Sequence, residues 1–251
     1  MALTVGLIVV FGFLTTFFNR LFYSSFGRAG KFVCYFTGFI GTPVHELSHA
    51  LFCLIFFHKI NEIKLYNIGD DGTLGYVSHS YNPKNIYQKA GNFFIGIAPI
   101  TIISLVLYIL IGILLPDLKT DLVVVAGNMS AGGAAVFFNG LGRLFTTLFS
   151  YMKYPKFWIY VGVGFFLVPH MTLSKEDISG ALSGFLFLAI GLLIIDVILY
   201  FFFNKAFVSF CHAFTVIGAF LITFFTLALF ILLLELIISL LLKLIFGRKK
   251  Q

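Results

Sequence analysis

Long apolar runs separated by short polar connections fill the chain, and a crossing of a lipid bilayer needs about 20 such residues in succession. The first run, Ala2 to Phe18, leads into a polar, basic connection from Asn19 to Lys31. It reads as a retained first span, since it lacks a positive start and a small-residue cleavage site. The second, Phe32 to Phe57, is interrupted by Gly41-Thr42-Pro43, where proline removes a helical hydrogen bond and predicts a kink. The third, Phe93 to Leu115, contains Pro99. Phe157 to Val168 is short for a span and is expected to borrow residues on its N-terminal side. Ile178 to Phe203 is a clear span with Asp196 inside it. Ala206 to Leu242 is longer than one crossing needs and holds Glu235; it predicts one long tilted helix or a helix extended into the interface.

Two stretches break this pattern. Residues 59–90 are polar: Ile63 to Tyr66 alternates, Gly69-Asp70-Asp71-Gly72 has turn chemistry, and Leu74 to Ser80 is again strand-like, which predicts a β-hairpin at the membrane surface. Residues 116–156 carry a mildly apolar run, Val123 to Phe138, around the glycine-rich stretch Gly127 to Gly133. Arg143 then sits between apolar residues, which suits an interfacial or re-entrant segment. The expected fold is therefore an all-α polytopic membrane protein over residues 1–251, a single transmembrane domain with about six transmembrane helices and a hairpin insert after the second.

Composition supports that class: 60% of the 251 residues are hydrophobic and 11% charged. A soluble domain has about half apolar and a quarter charged residues, so the excess must face lipid. The net charge of +7 would suggest nucleic acid in a soluble chain. Here the basic residues are thinly spread, and Lys243, Arg248, Lys249 and Lys250 cluster at one end, as lipid headgroups and the positive-inside rule select. The expected partners are the lipid bilayer and a membrane protein or peptide substrate, with no nucleic acid. Abundant Phe, Ile, Lys and Asn suggest an AT-rich bacterial source and so a multi-pass protein of a bacterial cell membrane. Cys34, Cys53 and Cys211 show no paired spacing and read as apolar core thiols.

The chemistry concentrates in His45-Glu46-Leu47-Ser48-His49. Histidines four apart project from one helix face and can share one metal ion, and an N-ligand pair suits zinc. Glu46 stands beside the first histidine, placed to take a proton from a water that the metal acidifies. Ionisable groups at mid-membrane are expensive and mark function. Three protein ligands leave one position open for water. The candidates for the third are His58, His79, His170, Asp177, Asp196, His212 and Glu235. Asp177 also fits a plainer role, because Ser174-x-x-Asp177 is a capping-box pattern at a helix start. Asp196 and Glu235 read as partners that orient the histidines or pair structurally. Cys53 continues the His45/His49 stripe at i+8 but reads as a core thiol.

Gly41-Thr42-Pro43-Val44-His45-Glu46-Leu47-Ser48-His49-Ala50 resembles the active-site helix of the site-2 protease family of intramembrane zinc metalloproteases. In that family a short β-hairpin follows the HExxH helix, a small-residue segment opens the next span, and an Asp ahead of a Gly starts a later helix. The matching pieces here are the insert after His58, Gly91-Asn92-Phe93 to Ala98-Pro99, and Asp177-Ile178-Ser179-Gly180. There is no Asn-Pro-x-Pro and no immediate Leu-Asp-Gly. The resemblance implies zinc held by His45, His49 and Asp177, with His170 as the alternative third ligand, and Glu46 as the catalytic base. It also implies Asn92 beside the reacting carbonyl and a hairpin edge around Leu65 and Val77 that holds an unwound substrate by strand addition. Two rival classes stand beside this one: a transporter or channel with a metal-binding HExxH helix, and an inactive relative that binds membrane partners without cutting them.

Overall fold

A computed structural model describes residues 2–69, 72–130 and 134–246. Asp70 and Asp71 of the expected turn, Ala131 to Gly133 of the glycine-rich stretch, and Arg248, Lys249 and Lys250 of the basic cluster lie outside the described residues. The described chain is mostly helical. Helix α1 (Ala2–Ser25) is followed by a short 3-10 turn and by α2 (Gly30–Ile55), which carries the HExxH motif. Strands β1 (Lys59–Lys64) and β2 (Tyr76–Ser80) come next, then α3 (Ile86–Leu114), α4 (Pro116–Ser130), α5 (Ala134–Tyr151), α6 (Pro155–Leu167), α7 (Lys175–Phe202) and α8 (Asn204–Phe246).

Pro43 lies inside α2 without ending it. α2 stops in a Schellman turn: His58 N–H donates to the Cys53 carbonyl at 2.8 Å and Phe57 N–H to that of Leu54 at 3.2 Å. The left-handed position of that turn is held by Phe57, φ 56°, where glycine is usual. Because the turn is so tight, β1 begins at Lys59 and ends at Lys64, earlier than the alternation at Ile63 to Tyr66 suggests. Leu65 therefore falls beyond the strand. β1 and β2 pair antiparallel, with Ile60 opposite His79, Ile63 opposite Val77, and an irregularity at Asn61. The Asn85 side chain then accepts from Tyr87 and Gln88 N–H at 3.0 and 3.3 Å, capping α3.

Three helices, α3, α7 and α8, are each long and apolar enough to cross a membrane. By that measure the count among the described residues is three, against the expected six. α6 starts at Pro155, pre-set for the first helical turn, and so borrows just two residues ahead of Phe157. Its 13 residues reach only about 20 Å at 1.5 Å per residue, short of a roughly 30 Å hydrocarbon layer. Residues 116–130 and 134–151 form two helices packed on one another, with α4 also against α8. α8 is a single continuous helix of 43 residues, about 65 Å long.

The core joins α1, α3, α4, α5, α6 and the second half of α8 through residues such as Phe11, Phe22, Ile103, Leu118, Leu144, Phe157 and Ile231. Phe11 and Phe225 stack with ring centroids 4.0 Å apart. α7 differs. It buries only Ala181 and Gly184 and packs on α3 through that small-residue stripe, leaving Leu182, Leu186, Ile190 and Leu193 exposed. The site lies where the starts of α3 and α7 and the strand β2 meet α2.

Candidate metal centre

His45, Glu46 and His49 project from the middle of α2, and His49 and Glu46 are buried. Each histidine is held by a backbone carbonyl from another element. The Nδ1 of His45 donates to the His170 carbonyl at 2.7 Å, and that of His49 to the Ile95 carbonyl at 2.8 Å. A carbonyl can only accept, so each Nδ1 carries the proton and each neutral ring presents a bare Nε2. The two Nε2 atoms lie 3.1 Å apart. Two lone pairs cannot bond one another without a cation or an extra proton between them.

Asp177 completes the group. Its Oδ1 lies 3.2 Å from Nε2 of His49, and its Oδ2 lies 3.9 Å from Nε2 of His45. The donor atoms of His45, His49 and Asp177 all lie within 4.8 Å of one another. Zinc bonds to nitrogen and oxygen of about 2.0–2.2 Å in a tetrahedron put neighbouring donors roughly 3.3–3.5 Å apart. The two shorter separations come close to that, so the residues fit a zinc ion.

The capping reading of Asp177 also holds. Ser174 N–H donates to Oδ2 of Asp177 at 2.8 Å, and Asp177 N–H donates to Oγ of Ser174 at 3.0 Å. The two roles are compatible because the carboxylate has two oxygens: Oδ2 caps α7 while Oδ1 faces His49. Gly96 brings the carriers together. A Cβ there would lie 2.5 Å from the Asp177 carbonyl and 2.8 Å from Cβ of Ala181, so any larger residue would push α7 off α3.

His170 is brought to the site in a different way from the one expected. Its carbonyl orients His45, whereas its ring turns toward Thr37, with Nε2 3.0 Å from Oγ1, and toward Thr42 at 3.5 Å. That ring sits in a notch in α2 at Gly41, where a Cβ would collide with it. Among the described residues its nitrogens join neither donor group. Asp196 and Glu235 do not orient the histidines either, since both Nδ1 atoms are engaged by carbonyls; Oδ1 of Asp196 and both Glu235 carboxylate oxygens are buried without a hydrogen-bond partner. His212 is exposed on α8.

A cavity of about 420 Å³ opens on the group and is lined by His45, Glu46, His49, Val77, Asn92 and Asp177, among others. Leu65 does not line it. Sequence reasoning had passed over Gly75, Tyr76 and Glu176, which also line it, and His79, weighed only as a third ligand. The period-two alternation of β2 carried a signal for His79, because Val77 and His79 share a face. Gly75 seats the strand: a Cβ there would lie 2.9 Å from Thr42 and 3.0 Å from Cγ of Glu46. Cys53, one turn beyond His49, forms a second donor group with His58 and His79, again within 4.8 Å. Burial holds His58 below the ordinary histidine pKa, and burial together with the neighbouring His58 does the same for His79, so both rings are neutral at pH 7.

Residues 38–141 match the model of a family described as "Putative zincin peptidase", less than half of the chain. The matched stretch contains His45, Glu46, His49, the hairpin and Asn92, and stops before Asp177. No curated protein and no solved structure gives a match. The similarity is thus to a zinc metallopeptidase family and not specifically to the site-2 proteases that the HExxH helix resembles.

Proposed function

We propose that this chain is a membrane-embedded zinc metallopeptidase that hydrolyses peptide bonds of membrane-associated proteins or peptides. The observation that carries the reading is the convergence of two bare imidazole nitrogens and one carboxylate oxygen beside a buried glutamate in an open cavity. His45, His49 and Asp177 hold the ion. Zinc, when bound there, acidifies a water and polarises a carbonyl. Glu46 takes the proton of the attacking water and delivers it to the leaving amine. The Asn92 side chain is buried and lines the cavity, and it would donate to the carbonyl oxygen as that oxygen gains charge.

A helix in lipid bonds all its backbone groups internally, so a scissile segment must unwind and find new partners. β2 borders the cavity through Tyr76, Val77 and His79 and is the edge that a stretched peptide would join. Three helices long and apolar enough to cross a membrane, together with the exposed apolar face of α7, support a multi-pass placement in a membrane. The abundance of Phe, Ile, Lys and Asn is the ground for taking that membrane as bacterial. Glu46→Gln tests the mechanism. The variant is expected to retain zinc, because Glu46 is not a ligand, and to lose cleavage by orders of magnitude. Undiminished cleavage would end the assignment of Glu46 as base.

A further inference from the structure

We infer that Cys53, His58 and His79 form a second metal site, distinct in chemistry from the HExxH group, that takes a soft or borderline cation of the zinc class. The three donor atoms lie within 4.8 Å of one another. Cys53 and His58 are buried and His79 is half-buried. The Schellman turn that ends α2 folds His58 back over the Cys53 carbonyl, and β2 returns His79 to the same point. Nδ1 of His58 lies 3.1 Å from Nδ1 of His79. His58 Nε2–H donates to the Gln88 carbonyl at 2.8 Å, which fixes the tautomer and leaves Nδ1 bare, the same arrangement that orients His45 and His49. The His58 ring stacks on Tyr81, which fixes its plane.

One thiolate and two imidazoles suit zinc and reject magnesium and calcium, which want oxygen donors. Binding releases the Cys53 thiol proton to solvent and forms a sulfur–metal bond. The ion would fasten both ends of the hairpin, through His58 ahead of β1 and His79 on β2, to the helix that carries the HExxH motif.

Cobalt substitution separates the two sites, because only this one contains sulfur. The full-length protein, purified in detergent and loaded with Co2+, is expected to hold about two ions per chain and to show a near-ultraviolet sulfur-to-cobalt charge-transfer band. Cys53→Ser and, as a milder change on the hairpin, His79→Gln should each abolish the band and leave about one ion bound. His49→Ala should keep the band. Absence of the band in the cobalt-loaded wild type, or its persistence in Cys53→Ser, would overturn the proposal and leave a plain His79-to-His58 hydrogen bond. Failure of the peptidase reading would look different: a band dependent on Cys53 with no second ion dependent on His49 and no cleavage.

Discussion

Helix α2 contributes to two donor groups one turn apart, and the two differ in their donor atoms and in the acid that stands beside only one of them. His45, His49 and Asp177 face a cavity with Glu46 beside them. Cys53, His58 and His79 are gathered at the helix end, with a thiol in place of a carboxylate. In both, a ring N–H on a backbone carbonyl turns a bare nitrogen inward. The same helical stripe therefore supplies both donor types. What distinguishes a reaction centre is the adjacent acid and the room for water and substrate, not the presence of metal-binding atoms alone.

The largest break in that contrast should come from removing the ion. A strong chelator is expected to abolish cleavage entirely, and added zinc to restore it; activity in metal-free protein, verified by elemental analysis, would remove the contrast. Next comes Asp177. Asp177→Ala removes both a ligand and a cap, so zinc content at the HExxH group and cleavage should fall at least a hundredfold, whereas the lost cap alone would cost only about 0.5–2 kcal/mol of stability. Stability loss with full zinc content would assign the residue to capping only.

A smaller effect is expected at the hairpin. Val77→Pro should lower cleavage of a membrane-embedded substrate about tenfold with zinc unchanged, since proline removes a donor and distorts the strand edge. Leu65→Pro, outside both strand and cavity, should do much less, and equal losses would argue against β2 as the substrate edge. The smallest is Phe57→Gly. A non-glycine residue at φ 56° costs about 1 kcal/mol, so glycine should raise the unfolding midpoint in detergent slightly; a lower midpoint would mean that the exposed Phe57 ring contributes more than the strain.

The HExxH helix and the hairpin after it were legible because each rests on local spacing: four residues for the histidines, two for the strands. Asp177 was reachable through its capping pattern and the family resemblance, although neither reading alone disclosed that one carboxylate serves both. The role of His170 was not legible. What positions His45 is the carbonyl of that residue, and a carbonyl has no side-chain signature. The Ile95 carbonyl under His49 escaped for the same reason. Leu65 was misplaced because a tight turn built on Phe57 started the strand earlier than hydrophobic alternation could show. Residues 116–151 lacked strong periodicity, and their two helices are recognisable only through their packing against each other and against α8.

The capping box at the start of α7 has a thermodynamic corollary. Since one carboxylate both closes the first turn of that helix and faces the imidazoles, the two equilibria share a residue and must be linked. Whatever factor an ordered first turn contributes to ion affinity, the ion contributes back to the order of that turn. α7 touches the rest of the bundle mainly through a narrow stripe on α3, so little else holds its beginning in place. Backbone amide exchange at residues 175–178 should accordingly slow when zinc is added, and Ser174→Ala, which loosens the same turn, should weaken zinc binding.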